Sequence, residues 1–222
     1  MDSKVIDSIA SLEAMLHEHW NGHWLFRGEG RPGTPLRPRV GRYFFPEDHD
    51  LSPSERGMLA EFKRRAVPFL TFPVENDWEW LALAQHHGMA TRLIDWTESP
   101  LFAVWFATCG HLTKGDRVLY VLDQESVTAA DQGTSPFDIK ETMLYFPKHI
   151  SPRIVAQSGV FTAHAEPRAV YEPSGLERYI IPGESAHGLL LSVENYGVNR
   201  ARLFPGLEGL SALLNEDWGF WD

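Results

Sequence analysis

Apolar residues recur along this chain in two rhythms, and the expected elements follow from them. Val5, Ile6, Ile9, Leu12, Met15 and Leu16 fall three or four residues apart or side by side. That spacing lines one face of a helix, so residues 3–19 are predicted as an amphipathic helix. Trp24-Leu25-Phe26-Arg27 is a short strand-like run that stops at Gly28. Ser52-Pro53-Ser54-Glu55 signals a helix start: Ser52 can cap, Pro53 suits the first helical position, and Glu55 stands where a capping-box acid belongs. Met58, Leu59, Phe62 and Ala66 then face one way until Pro68. Asn76 with Glu79 opens a second capped helix, Asp77–His87, and Gly88 suits the position after its end. Ser99-Pro100 opens a third, Leu101–Cys109, apolar nearly all round and therefore expected in the core.

Further on, Val118–Leu122, Arg153–Phe161 and Tyr179–Ile181 read as strands. Leu189–Asn195, with Gly197 just beyond it, and Leu207–Leu214 read as helices. Helices cluster early, and strands come later with helices between them. The expected class is α+β, with N-terminal helices packed on a mixed or antiparallel sheet. No repeat, low-complexity tract or flexible linker divides the chain, so residues 1–222 read as a single domain.

Composition narrows the function classes. The chain holds 20 Lys and Arg against 30 Asp and Glu, a formal charge of −10. A protein that coats nucleic-acid backbone would present a basic face instead, so tight nucleic-acid binding is not expected. The longest apolar stretch, Pro100 to Cys109, is far shorter than the roughly 20 residues that cross a bilayer. The first twenty residues lack the pattern of a secretory signal. Cys109 is the one cysteine, so neither an internal disulfide nor a cysteine-based zinc site is available. A soluble cytoplasmic protein without membrane contact is the simplest expectation. The average charge hides one exception: Arg27, Arg31, Arg37, Arg39 and Arg42 crowd into sixteen residues, within a stretch whose prolines prevent long regular structure.

Residues 85–99 concentrate the candidate chemistry. Gln85, His86, His87, Thr91, Arg92, Asp95, Thr97 and Ser99 lie between a capped helix and a buried one. If Thr91–Trp96 is extended, Arg92, Ile94 and Trp96 share one face and Thr91, Leu93 and Asp95 the other. A charge on each face of a core connection needs a partner, so Arg92 or Asp95 closing onto the early loop is the structural alternative to a ligand role. Consecutive side chains diverge by about 100° on a helix, so at most two of Gln85, His86 and His87 can enter one pocket. A metal is not expected, because adjacent histidines lack the i, i+4 spacing of a helical metal pair. His86 or His87 is a candidate general acid/base, with His86 retained, and a cap on the last helix carbonyls is the structural alternative. Gly28-Glu29-Gly30 has no third glycine and is too weak for a dinucleotide fingerprint.

Two passages resemble a known family. Trp24-Leu25-Phe26-Arg27-Gly28 carries a Phe-Arg-Gly signature. Gln85-His86-His87-Gly88, then Thr91-Arg92-Leu93-Ile94-Asp95-Trp96-Thr97, Ser99-Pro100, Ala103 and Phe106-Ala107, is similar to the central block of the FRG domain family. Arg153–Phe161 and Leu203–Leu210 resemble its two later blocks, so the likeness runs from about residue 20 to 214. The resemblance implies a mostly prokaryotic domain, often without an assigned activity and sometimes associated with phage defence, with a protein target or phage component as a partner.

A more distant similarity is to ADP-ribosyltransferases, and it implies NAD as substrate. In one branch of that fold a first-strand Arg-Gly binds the NAD phosphates, a Ser/Thr-rich strand beside a buried helix shapes the nicotinamide pocket, and a late-strand Glu stabilises the ribosyl transition state. Arg27-Gly28 matches the first role, and Thr97 with Ser99 the second. The late strand carries Gln157 where the acid would stand, which leaves Gln157, Asp95, Glu208 and His86 as the candidates for catalysis. Arg27, Gly28, Arg37, Gln85, Thr91, Arg92, Thr97 and Ser99 are the expected ligand-binding set. A small phosphate-bearing ligand is the expected partner. A non-catalytic module that senses a nucleotide or a phage component is the alternative to an enzyme.

Overall fold

A computed structural model of the protein describes residues 4–20, 22–31, 33–44, 46, 49–70, 72–110, 115–148 and 155–220. Its centre is a seven-stranded sheet. In chain order the strands are β1 (Lys4–Val5), β2 (Trp24–Glu29), β3 (Leu93–Thr97), β4 (Arg117–Asp123), β5 (Met143–Tyr145), β6 (Gly159–Ala163) and β7 (Leu176–Ile181). Their order in space is β1-β7-β4-β2-β3-β6-β5. β1 runs parallel to β7, and every other neighbour pair is antiparallel. With helices packed on this sheet, the protein is α+β.

Among the described residues the helices include α1 (Ile9–Glu18), α2 (Leu51–Ala66), α3 (Asp77–His86), α4 (Pro100–Thr108), α5 (Ala186–Asn195), α6 (Arg200–Leu203) and α7 (Leu207–Asp217). α4 lies directly on the sheet, which explains its apolar circumference. Phe102, Ala103, Val104, Trp105 and Ala107 join Phe26, Leu119, Val121, Tyr179 and Ile181 in one core, together with Leu12 and Met15 of α1 and Leu189 and Val193 of α5. Further along the same face, Leu59 of α2 and Trp78, Leu81 and Ala84 of α3 cover Leu93, Tyr145, Phe161 and Ala163. The opposite face, with Leu25, Ile94, Trp96, Val118, Tyr120, Leu122 and Val160, is covered by loops carrying Leu36, Val127 and Tyr171. Ile94 and Trp96 thus lie opposite Leu93, as the alternation along 91–96 requires.

Several boundaries differ from the sequence reading for identifiable reasons. The first helix starts at Ile9, not residue 3, because Lys4 and Val5 pair with Tyr179 and Ile180 and Ser8 caps the helix by accepting from Ser11 N–H. Asp50, two residues earlier than expected, takes the cap of α2 from Ser52, and Ser52 serves Arg92 instead. Asn76 caps α3 as expected, Gly88 follows it in the left-handed region (φ 86°), and Ser99 caps α4. The strand expected over Arg153–Phe161 forms at Gly159–Ala163, and Arg153 and Ile154 lie outside the described residues. Among the described residues no helix is long and apolar enough to cross a membrane.

Two features of the sheet shape a cleft beside α4. First, β2 pairs with β4 along its whole length but meets β3 only at Phe26 opposite Thr97. Beyond that pair the two strands splay and leave a seam. Second, α4 sits unusually close to β2. A Cβ on Gly28 would stand 1.9 Å from the Ala103 carbonyl oxygen and 2.5 Å from the Ala107 nitrogen. Gly28 and Gly30 are therefore packing glycines that seat a helix on a strand.

Candidate functional site

The seam opens into a cleft of about 370 Å³. Its floor is the splayed β2 and β3, with α3 on one side and α4 on the other. Arg27 crosses the seam: its Nη1 donates to the Asp95 backbone carbonyl at 2.9 Å, which replaces the ladder bond that the splay removes. The same guanidinium stands 3.6 Å from the Glu29 carboxylate and 3.8 Å from that of Asp95. Two buried nitrogens at the cleft, Nε of Arg27 and Nε of Arg37, have no hydrogen-bond partner among the described residues.

The loop after β2 supplies the remaining positive charge. A single turn of 3-10 helix over Arg39–Arg42 places Arg39 and Arg42 three residues apart, on the same side, so both line the cleft with Arg37. This turn is fixed at several points. Arg39 Nη1 donates to the Gly88 carbonyl at 2.8 Å, the Val40 N–H to the Thr91 carbonyl at 3.2 Å, and Arg42 Nε to the Arg37 carbonyl at 2.9 Å. Gly41 lies so close to the 167–168 backbone that a Cβ there would meet the Pro167 carbonyl oxygen at 1.8 Å. Burial lowers the Arg42 pKa, and the neighbouring charges of Arg27 and Arg31 lower it further, against the opposing pull of Glu29 and Asp95. Among the described residues four arginines line the cleft against two carboxylates, Glu29 and Asp95, so its lining is locally positive in an acidic protein. Phe26, Phe106 and Phe161 add aromatic surface.

Of the residues singled out from sequence, the structure brings Arg27, Gly28, Arg37, Gln85, His86, Asp95, Thr97 and Gln157 to this cleft. Gln85 and His86 both reach it, within the limit of two that helical geometry sets. Gln85 also joins α3 to β3: its Nε2 donates to the Leu93 carbonyl at 3.3 Å, and its Oε1 accepts from the Thr91 hydroxyl. Thr97 Oγ1 donates to the Gln157 carbonyl at 2.7 Å and accepts from the Ser99 N–H at 3.1 Å. Gln157 Nε2 donates to the Leu203 carbonyl at 3.0 Å, tying the cleft wall to α6.

Four others do not line it. Thr91 is buried, with its hydroxyl committed to Gln85 and the Leu93 N–H. Ser99 caps α4 through the Phe102 N–H. Glu208 lies in the exposed first turn of α7. Arg92 is 1% exposed and clamps Glu55, itself 2% exposed, through Nη2 at 2.5 Å and Nε at 3.2 Å. It also donates to Ser52 Oγ at 3.1 Å and to the Pro136 carbonyl at 3.3 Å, and its guanidinium lies 4.9 Å from the Phe137 ring centre. Beside it, His164 is buried between the Thr162 and Thr142 hydroxyls, and burial, aided by the Arg92 charge, lowers its pKa to about 3. Arg92 belongs to a structural network that anchors β3 to α2.

Sequence reasoning did not assign Glu29, Arg39, Arg42, Met89, Phe106 or Phe161 to the site. The crowding of arginines marked Arg39 and Arg42. The short turn that turns both of them inward carries no periodic signal.

Residues 22–116 match the family model of the FRG domain. That span contains β2, the arginine loop, β3 and α4, which together form most of the cleft wall. No curated protein and no solved structure matches the chain.

Proposed function

For a chain that carries an FRG domain over residues 22–116, we propose that the cleft binds a small phosphate-bearing ligand of the nucleotide class, NAD or ADP-ribose among them. The observation that carries this reading is the convergence of Arg27, Arg37, Arg39 and Arg42 on one cleft of about 370 Å³. Guanidinium forks match phosphate oxygens in pairs, and like charges held together are relieved by an anion. The aromatic side chains of Phe106 and Phe161 offer a base or a nicotinamide ring an apolar surface. The cleft volume suits a small molecule, and the net charge of −10 disfavours a long polyanion.

Isothermal titration calorimetry with NAD, ADP-ribose and ADP tests the proposal. Arg37→Ala is the informative variant, because the Arg37 side chain makes no ion pair or hydrogen bond within the described residues. One charge-assisted contact contributes about 1.5–3 kcal/mol, so affinity should fall roughly ten- to hundred-fold with the melting temperature unchanged. Absence of heat with all three ligands refutes the reading.

A second reading, an ADP-ribosyltransferase-like enzyme that cleaves NAD, rests on Asp95. This carboxylate is exposed at the cleft beside Arg27, whereas Gln157 spends its amide N–H on Leu203. An anion at that place could stabilise an oxocarbenium-like ribosyl centre. Nicotinamide release from NAD, abolished in Asp95→Asn, supports the enzyme. Binding without turnover, with or without candidate protein targets, supports the sensing module. Phage challenge of bacteria expressing the wild-type chain or Arg37→Ala tests the defence role that the family resemblance implies.

A further inference from the structure

The sheet face opposite α4 carries a second pocket that the arginine cleft does not use. Arg27 stands opposite Tyr120, and Tyr120 opposite Arg178, so these three form a cross-strand row over β2, β4 and β7. Beyond Tyr120 the row borders a hollow of about 450 Å³ between segment 33–36 and segment 170–173. Its chemistry is mixed in a definite way. Tyr120 and Tyr171 are 7% and 8% exposed, yet neither hydroxyl has a hydrogen-bond partner among the described residues. Both side chains line the hollow, and neither hydroxyl is sealed from solvent.

Tyr171 is held firmly there. Its N–H donates to the Leu36 carbonyl at 2.7 Å, and its ring meets that of His164 edge-on at 4.6 Å. Burial raises the pKa of both phenols, that of Tyr171 to about 12, so each keeps its proton to donate at neutral pH. A phenol that is nine-tenths buried in the wall of a cavity, with its one polar atom unpartnered, is suited to an acceptor brought by a ligand. Arg178 and Glu172 also line the pocket, and they form no ion pair with each other. Leu36 and Leu176 supply apolar wall.

We infer that this pocket is a second binding site, for a small zwitterion with an apolar body, the chemistry of a free α-amino acid with an aromatic or aliphatic side chain. Its carboxylate meets the two hydroxyls and Arg178, its ammonium meets Glu172, and its side chain lies against Leu36 and Leu176. This assignment stands independently of what fills the arginine cleft.

Saturation-transfer NMR on the full chain tests it with three probes: L-phenylalanine, 3-phenylpropionate, which lacks the amine, and phenethylamine, which lacks the carboxylate. Saturable binding is expected for L-phenylalanine, at least fivefold weaker for the other two. Tyr120→Phe/Tyr171→Phe, which keeps both rings, should weaken L-phenylalanine at least fivefold, and Arg37→Ala should leave it unchanged. No saturable binding to the wild-type chain overturns the proposal. So does equal binding by the double tyrosine variant, equal binding of 3-phenylpropionate, or loss of binding in Arg37→Ala.

Discussion

Replacing Arg92 with alanine separates a structural arginine from those that line the cleft. The substitution removes a two-point charge-assisted clamp on Glu55 and further donations to Ser52 and Pro136, and leaves the Glu55 carboxylate 2% exposed with its cationic partner gone. Removing one member of a buried ion pair costs about 3–5 kcal/mol, mostly because the remaining charge stays desolvated. For a chain of this size each kcal/mol lowers the melting temperature by roughly 2–4 °C, so a fall of roughly 6–20 °C is expected. Urea unfolding followed by tryptophan fluorescence measures the difference directly. The paired change Arg92→Leu/Glu55→Leu should recover much of the loss, because no charge is then stranded, and a double-mutant cycle gives the coupling. Ligand affinity measured where the variant is still folded should match wild type, because Arg92 does not line the cleft. A destabilisation below about 1 kcal/mol, or a selective loss of ligand binding without loss of stability, refutes this account.

Three more outcomes follow from the same geometry. His164 has its pKa lowered to about 3 against an ordinary 6.5, so its contribution to stability is complete above about pH 6.5 and is lost progressively as the pH falls toward 3. Urea midpoints at pH 7, 5.5 and 4.5 should show up to about 1.4 kcal/mol per pH unit from this group, and His164→Gln should lack that component. Gly41→Ala pushes a methyl group into the Pro167 carbonyl, so the arginine turn must move; a weaker nucleotide affinity and a lower melting temperature should appear together, and an unchanged affinity would show that the turn does not shape the cleft. Burial raises the Cys109 thiol pKa to about 11, so Ellman's reagent at pH 8 should label it slowly in the native protein and quickly in urea.

Much of the helical framework was readable because capping is local. Asn76 and Ser99 announced α3 and α4 within three residues of each helix start, and Gly88 marked the stop. β1 and β5 were missed because two- and three-residue strands leave no period; β1 exists through its partner β7 more than 170 residues away. The cleft was half legible. The dense polar segment 85–99 and the arginine crowding pointed to it, but whether a charge faces ligand or core depends on tertiary partners. Arg92 and Asp95 sit three residues apart with comparable sequence signals. One meets Glu55 from α2 and disappears into the core, while the other faces the cleft.

The seam between β2 and β3 also bears on how the chain must fold. β2 finds its full ladder partner in β4, which begins at Arg117, immediately after the family-matched span ends, and β3 finds its own in β6, from Gly159. Within residues 22–116 the two strands share only the Phe26–Thr97 pair. Excised, that span would hold most of the cleft residues on two bare-edged strands, an arrangement prone to aggregate. Closing the sheet means bringing together segments distant in sequence, repeatedly across the seam, which costs loop entropy before any pairing offsets it. The recognisable unit of this protein is therefore smaller than its folding unit.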